Sequence, residues 1–313
     1  MIRSFSLLQD DSFIVTVADA LLPLADQWLP LHGRLVDASI NPAASVVDVG
    51  RGAAAEAPAM EPVLLRIGNV TAHALDADTV TLHGANIDGR LSLNERSAHI
   101  TVRDTPHSDE IALSLHHMLT LASAFLLGRM GAALAHAGAV ADDAGNAWLF
   151  VGDSHSGKTT TCVALTDAGW RFLTDDQVVL RMMDGVLVAE GWPRRAHLNA
   201  GYDESRILGV RDSVDLRERW SDRWCRWAPL RAVVLPRVNA HAATSTQPAA
   251  GASVMAALIR QSPWLLADKV AAPQVLALLE RAAHLTAMTL ELGSDTYGKG
   301  GLLGSLLQAR ASL

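Results

Sequence analysis

One loop pattern limits the fold of this chain more than any other feature of its sequence. Residues 152–159 read Gly-Asp-Ser-His-Ser-Gly-Lys-Thr and fit the pattern G-x-x-x-x-G-K-[ST] in full. The apolar residues 147–151 before the loop predict a buried strand, and residues 158–168 after it predict a helix. A strand that passes through such a loop into a helix is the opening unit of an α/β nucleotide-binding fold.

The residue types in this loop suit phosphate binding. Glycines let backbone N–H groups converge on phosphate oxygens, and the N-terminus of the following helix adds partial positive charge. Lys158 is placed to neutralise the β- and γ-phosphates, and the Thr159 hydroxyl is placed to ligate magnesium. The pattern therefore predicts that ATP, or a similar nucleoside triphosphate, binds with Mg²⁺. The predicted binding residues are Gly152, Asp153, Ser154, His155, Ser156, Gly157, Lys158, Thr159 and Thr160.

An acidic pair follows the predicted helix. Residues 170–173 predict a short strand, and Asp175 and Asp176 come at its end. Neighbouring side chains on a regular strand point to opposite faces, so both carboxylates reach one site only if the strand ends before them. One carboxylate would hold magnesium and the other would accept a hydroxyl proton. The pair by itself does not assign the two roles.

The chain divides into two segments of different pattern. Short alternating apolar runs broken by turn residues predict a β-rich accessory domain over residues 1–105. Residues 106–313 predict an α/β domain that contains the phosphate loop and begins with a helix over residues 109–130, with Ser108 as its N-cap. The predicted fold class is therefore α/β, with a β-rich domain in front of a P-loop core.

Composition and charge exclude several classes of function. The formal net charge of -7 gives no basic surface for nucleic acid. Residues 111–128 come nearest to a membrane span, but His116 and His117 interrupt them, so we interpret the stretch as a buried helix and expect no membrane partner. The two cysteines, Cys162 and Cys225, have neither disulfide-framework nor zinc-site spacing, which favours a reducing cytoplasm.

Three short segments resemble the catalytic domain of the HPr kinase/phosphorylase family. They are residues 136–140 (His-Ala-Gly-Ala-Val), the Gly-Asp-Ser opening of the loop, and residues 169–176 (Gly-Trp-Arg-Phe-Leu-Thr-Asp-Asp). The family has a His-Gly strand, a Gly-Asp-Ser loop and an Ala-Asp-Asp strand end at similar distances. The resemblance covers roughly residues 135–180. It implies a core related to that of phosphoenolpyruvate carboxykinase and transfer of the γ-phosphate of ATP to a serine hydroxyl.

The same resemblance implies roles for individual residues. Asp175 matches the catalytic acid of the pair, and His136 matches the histidine near the reacting phosphate. Glu190, followed by glycine, stands in for the family's glutamate signature at a shorter spacing, with Arg194 and Arg195 after it. The expected catalytic residues are Asp175, His136 and Lys158. The expected metal ligands are Thr159, Asp176 and Glu190.

The expected acceptor also comes from the resemblance. The chain is similar to the HPr-kinase-related proteins of lasso-peptide pathways, whose kinases phosphorylate a serine of a precursor peptide, so a peptide or protein serine is the expected acceptor. A small-metabolite kinase, a carboxykinase-like enzyme and a non-catalytic nucleotide-binding scaffold are the alternatives. The intact pair Asp175 and Asp176 favours catalysis over a scaffold. A homo-oligomer is compatible with the resemblance.

An aromatic stripe lies outside these motifs. Leu216, Trp220, Trp224 and Trp227 recur at helical spacing and are interleaved with arginines. The stripe predicts either a helix that packs its tryptophans into the core or a platform for a peptide, and we prefer the core.

Overall fold

The computed structural model describes most of the chain. It covers residues 2–25, 34–36, 43–52, 62–103, 108–192, 196–199, 211–214, 220–239, 241–295 and 299–312. In these residues the chain forms a mixed α/β structure with two large sheets, which confirms the coarse fold class. It divides into two compact units, Met1–Ala132 with Pro263–Val275, and Ala133–Ser262 with Leu276–Leu313.

The first unit is built on one sheet. Its strands are β1 (Ile2–Ser6), β2 (Phe13–Ala18), β3 (Arg34–Leu35), β4 (Ser45–Arg51), β5 (Val63–Ile67), β6 (Val70–Ala74), β7 (Thr79–Gly84), β8 (Ile87–Ser92) and β9 (Ser97–Val102). The sheet order of these described strands is β3-β1-β2-β4-β9-β8-β7-β6-β5. Buried residues alternate with more exposed ones in β4 and β7, as expected of strands that bury one face.

Helix α2 (Asp109–Arg129) packs on this sheet and belongs to the first unit. It follows a short 3-10 helix (Asp19–Leu21) and α1 (Leu22–Ala25) in chain order. The Ser108 hydroxyl accepts a hydrogen bond from the Ile111 N–H at 3.3 Å and caps α2 as predicted. By length and composition α2 could span a membrane, but 83% of its apolar window is buried, in agreement with the predicted buried helix.

The unit boundary lies later than the predicted domain boundary. We expected the α/β domain to start at residue 106, whereas α2 contacts β4 and β6 to β9 and the first unit runs to Ala132. The 3-10 helix Pro263–Leu266 also packs on α2 and joins this unit from far along the chain. Helix α2 belongs to the first unit because it is buried against the first sheet. A change in the local sequence pattern does not indicate which sheet a helix packs on.

The second unit contains residues 152–159, the loop that the sequence predicts to bind phosphate and that we name the phosphate loop. Its strands are β10 (Ala133–Ala135), β11 (Ala137–Ala141), β12 (Ala147–Val151), β13 (Arg171–Thr174), β14 (Val178–Met183), β15 (Val186–Gly191), β16 (Ala196–Asn199), β17 (Arg211–Val214), β18 (Trp227–Val238), β19 (Ser245–Pro248) and β20 (Thr286–Leu292). Its helices are α3 (Lys158–Asp167), α4 (Gly251–Arg260), most of α5 (Ala272–Ala283) and α6 (Gly300–Ala311). Helix α3 packs on β11, β13 and α6, and α4 packs on β12 and β18.

The direction of the strands brings several loops to one edge of the second sheet. The order is β10-β14-β15-β18-β12-β11-β13, with β20 beside β18. Strands β12, β18 and β20 are parallel. Strand β11 is antiparallel to both β12 and β13, so β13 runs in the direction of β12. The C-terminal ends of β12, β13, β18 and β20 and the N-terminal end of β11 therefore share one edge, which we name the carboxyl edge.

The part of the tryptophan stripe that the structure describes, residues 220–227, is not helical. Residues 220–226 are irregular, β18 begins at Trp227, and Leu216 lies outside the described residues. The backbone of this segment bonds to β13 instead, because Phe172 N–H donates to Arg223 O and Cys225 N–H donates to Phe172 O. Trp220 is buried in the core, as we preferred, while Trp227 is exposed.

Candidate functional site

The phosphate loop connects the end of β12 to the start of α3 at the carboxyl edge. Gly157 is the N-cap of α3 and has a φ of 99°, in the left-handed region that favours glycine. A Cβ at this position would lie 2.6 Å from Leu292 Cδ1, so a larger residue would also collide with the end of β20. This geometry explains the second glycine of the loop pattern, because the backbone conformation and the close packing at Gly157 both require glycine.

Lys158 lies inside the curve of the loop. It is 6% exposed, and its Nζ donates to the carbonyl oxygens of Gly152 at 2.7 Å and Asp153 at 3.1 Å. Burial lowers the pKa of Lys158, and the nearby Cys162, Asp153 and Asp175 offset part of this effect. The ammonium group is therefore held in the loop, within electrostatic reach of Asp175.

The other loop residues differ in exposure. Asp153, Ser154 and His155 are exposed, whereas Ser156, Thr159 and Thr160 are partly buried. Among the described residues, the Ser156 hydroxyl oxygen is buried and has no hydrogen-bond partner. A buried hydroxyl of this kind is costly unless a polar group can reach it, and phosphate oxygens supply suitable acceptors. This observation fits a loop that binds phosphate.

Asp175 and Asp176 follow β13 at the carboxyl edge. The strand ends at Thr174, so the regular alternation of side chains ends before the pair. Both carboxylates can therefore face one site, as the prediction of a shared site requires. Asp175 is buried, and Ala137 N–H donates to Asp176 O at 3.0 Å. A Cβ at Gly138 would lie 2.8 Å from Cys162 Sγ and 3.4 Å from Asp175 O. Gly138 thus allows the acidic segment and α3 to approach the same point of β11.

His136 lies at the same edge, in a break between two strands. The resemblance placed His136 in a strand with residues 137–140, whereas β10 ends at Ala135 and β11 begins at Ala137. Its Nδ1 is 3.1 Å from Asp176 Oδ1, and 36% of the histidine side chain is exposed. The break turns the ring toward the acidic pair, so His136 is not a core histidine.

Glu190 is placed differently from the expectation of a metal ligand. Its side chain is completely buried, Arg181 Nε donates to Oε2 at 2.9 Å, and Arg226 Nε lies 3.6 Å from Oε1. Both carboxylate oxygens therefore face guanidinium groups, which satisfy the buried charge. Glu190 on β15 forms an ion-pair cluster with Arg181 on β14 and with Arg226, which directly precedes β18, and its role as a metal ligand stays a prediction. Arg194 and Arg195 lie outside the described residues.

A magnesium site would depend on more than protein carboxylates. In the described part of the chain, no three His, Cys, Asp or Glu side chains are grouped to hold a metal ion. Protein-bound Mg²⁺ commonly takes one or two carboxylates together with substrate phosphates and water. Asp176 and the Thr159 hydroxyl are compatible with that smaller set of protein ligands.

One polar residue near the site, Gln261, could not be identified from the sequence. Gln261, just after α4, donates from Nε2 to Asp153 Oδ1 at 3.0 Å. The two residues are 108 positions apart, and Gln261 is part of no motif, so only the fold brings it to the loop.

The comparisons with known proteins give little support beyond this geometry. The chain matches no family model and no curated protein. It is similar to a solved structure, the HPr(Ser) kinase/phosphatase from Coxiella burnetii, with 12% sequence identity and a TM-score of 0.32. The match covers 56% of this chain and 94% of that chain. A TM-score and an identity this low carry no argument about fold or activity.

Proposed function

We propose that this chain is an ATP-dependent kinase that transfers the γ-phosphate to a hydroxyl, with HPr-kinase-like chemistry in its second unit. The observation that supports it best is the meeting of three elements at the carboxyl edge. The strand directions bring three segments to this edge. They are the phosphate loop with Lys158, the acidic pair with Asp175, and the segment with His136. Ligands of open α/β sheets bind outside the carboxyl ends of strands, so these residues lie where a nucleotide is expected.

The proposal gives each residue a physical role. Lys158 and the N–H groups of residues 152–160 bind and orient the phosphates, because they combine a fixed charge with converging donors. Asp175 accepts the proton of the acceptor hydroxyl. Asp176 and Thr159 hold Mg²⁺, which neutralises charge on the phosphates when it is bound. His136 orients the Asp176 carboxylate through the 3.1 Å contact.

The acceptor that we propose is a serine of a peptide or protein, in a reducing cytoplasm. Serine follows from the resemblance of residues 135–180 to the HPr kinase/phosphorylase family, whereas the site geometry selects only a hydroxyl. The cytoplasmic assignment is supported by the two cysteines, Cys162 and Cys225, which are both free thiols.

Nucleotide binding and phosphate transfer test the proposal together. Lys158→Met keeps the aliphatic stem and removes the charge, so Mg²⁺-ATP affinity measured by calorimetry should fall roughly ten- to a hundredfold, since hydrogen bonds to charged groups contribute about 1.5–3 kcal/mol. Lys269→Met is the matched control, because Lys269 is exposed and belongs to the first unit. Equal affinity in the parent and Lys158→Met would refute the proposed nucleotide site.

The acceptor class is decided by transfer from labelled ATP. We expect label on serine peptides, and serine-to-alanine peptides should remain unlabelled. Transfer to small hydroxyl metabolites alone would replace the peptide acceptor with a metabolite. ATP binding with no transfer to either class would favour a nucleotide-binding scaffold.

A further inference from the structure

One residue contacts two parts of the candidate site. Gln261 is 8% exposed and follows the last turn of α4. Its side-chain Nε2 donates to Asp153 Oδ1 at 3.0 Å, and its backbone O accepts from His136 N–H at 2.7 Å. Gln261 therefore bonds to the phosphate loop through its side chain and to the histidine segment through its backbone.

Each contact continues to a proposed functional group. On the loop side, the carbonyl of Asp153 accepts from Lys158 Nζ at 3.1 Å and from Ser156 N–H at 3.2 Å. On the other side, His136 Nδ1 lies 3.1 Å from Asp176 Oδ1. One connected path thus runs from Lys158 through Asp153, Gln261 and His136 to Asp176.

The two ends of this path need a fixed separation if they act on one nucleotide. Catalytic groups must be held within a fraction of an ångström of their working geometry, and neighbouring hydrogen bonds usually provide this support. The amide of Gln261 is suited to the task because it is uncharged and donates to a carboxylate without adding charge to the site.

We propose that Gln261 is a positioning residue that holds the first turn of the phosphate loop and the His136–Asp176 pair in one fixed arrangement. The inference rests on the proposed kinase function and deepens it. Gln261 touches no reacting group itself. Its effect on binding and turnover passes through Asp153 and His136.

The test measures the effect of Gln261→Glu in two backgrounds. A glutamate at 261 cannot donate when ionised and places a second carboxylate beside Asp153, so Mg²⁺-ATP affinity should fall about tenfold, and the rate of phosphate transfer should also fall. In the Asp153→Asn background the amide at 153 can donate to the new carboxylate, which restores the contact with its direction reversed. In that background Gln261→Glu should lower Mg²⁺-ATP affinity by less than about threefold. Such non-additivity is expected of two residues in contact.

Thermal unfolding separates positioning from a general loss of structure. Gln308→Glu is the matched control, because Gln308 is exposed on α6. The Mg²⁺-ATP affinity of this variant should equal that of the parent. Gln261→Met, which keeps the length of the side chain without a charge, should lower affinity while its melting temperature stays close to that of the parent. It replaces Gln261→Glu if that variant does not fold.

The outcomes distinguish this inference from the proposed function. If the parent fails to bind Mg²⁺-ATP, the proposed function and this inference both fail. If the parent binds and Gln261→Met binds equally well, only the inference is overturned. The inference would also be overturned if the Gln261 variants lost affinity only in proportion to the loss of folded protein, and if Gln261→Glu lowered affinity equally in the Asp153→Asn background.

Discussion

At the scale of single residues, the adjacent carboxylates Asp175 and Asp176 have different surroundings. Asp175 is buried and interacts electrostatically with Lys158. The side chain of Asp176 is 22% exposed and faces His136. Two acids in different environments can take different roles, which is how acid–base pairs are assigned in enzymes. The surroundings support the division in which Asp175 handles the proton and Asp176 the metal.

Substitution of each carboxylate by its amide should therefore give two different defects. Asp175→Asn keeps the size of the side chain but removes the base, so transfer should slow by about 10²–10⁴-fold while Mg²⁺-ATP binding persists. Asp176→Asn should also weaken the magnesium-dependent part of ATP binding, because an amide is a poorer ligand than a carboxylate. Calorimetry with and without magnesium, beside transfer from labelled ATP, measures both effects.

The control for this pair is Asp184→Asn. Asp184 is exposed in the turn between β14 and β15 and has a φ of 49°, a conformation that asparagine tolerates well. It should change neither binding nor transfer. Unimpaired transfer by Asp175→Asn would show that another group accepts the proton.

Residues in local motifs could be placed from the sequence, and those in long-range contacts could not. The loop and the acidic pair each occupy a few consecutive residues at the end of a strand, so the sequence pattern was sufficient to place them in the fold. The ion pairs of Glu190 could not be predicted in full, because Arg226 lies 36 positions away and only the fold brings it near the carboxylate. Gln261 was missed because its contact with Asp153 exists only in the fold.

At the scale of elements, strong periodicity and turn residues predicted most helices and strands around the site. The strand before the loop, α3 after it and the short strand before the acidic pair all lie where the sequence placed them. The exceptions are the break at His136 and the irregular tryptophan segment. In both, the backbone bonds to a distant element, Gln261 O for His136 and β13 for the tryptophan segment, and local pattern contains no such information.

The tryptophan segment leads to a prediction about stability. Trp220 is 6% exposed, its Nε1 donates to Asp167 Oδ1 at 2.8 Å, and its ring centroid lies 5.7 Å from that of Phe172. Trp220→Ala should therefore lower the free energy of unfolding by about 3–5 kcal/mol, as is usual for a buried aromatic residue. Trp227, at the exposed start of β18, is the matched position. Trp227→Ala should lower the free energy of unfolding far less.

Urea unfolding followed by circular dichroism measures both tryptophan variants. Similar small losses would mean that Trp220 does not stabilise the core and would revive the platform interpretation. In that case the affinity for an acceptor peptide should fall in Trp220→Ala, which the core interpretation does not predict.

At the scale of the whole molecule, the first unit is assembled from two distant parts of the chain. Residues 263–275 join residues 1–132, although the chain between them builds most of the second unit. A linear domain boundary could not be predicted from composition for this reason. Contacts within the first unit hold residues 263–275 against the N-terminal part of the chain.

Arg129 provides such a contact within the first unit. Its Nε donates to Asp268 Oδ2 at 2.5 Å, its Nη2 to Asp268 Oδ1 at 3.1 Å, and its Nη1 to Asp78 Oδ1 at 2.9 Å. Both Arg129 and Asp268 are almost fully buried. Burial by itself would lower the pKa of Arg129, but the hydrogen bonds and charges of Asp268 and Asp78 outweigh it and raise the pKa.

Removal of this arginine should destabilise the first unit far more than removal of an exposed one. Arg129→Met leaves the Asp268 carboxylate buried without its cation, and breaking one side of a buried pair costs about 3–5 kcal/mol. Arg3→Met is the control, because the Arg3–Asp19 pair is exposed and such pairs contribute about 0–1 kcal/mol. In the double variant Arg129→Met/Asp268→Leu the loss should be smaller than in Arg129→Met, because no buried charge remains. Scanning calorimetry of the full chain would report these differences, and equal losses for Arg129→Met and Arg3→Met would show that the distant segment is held by apolar packing instead.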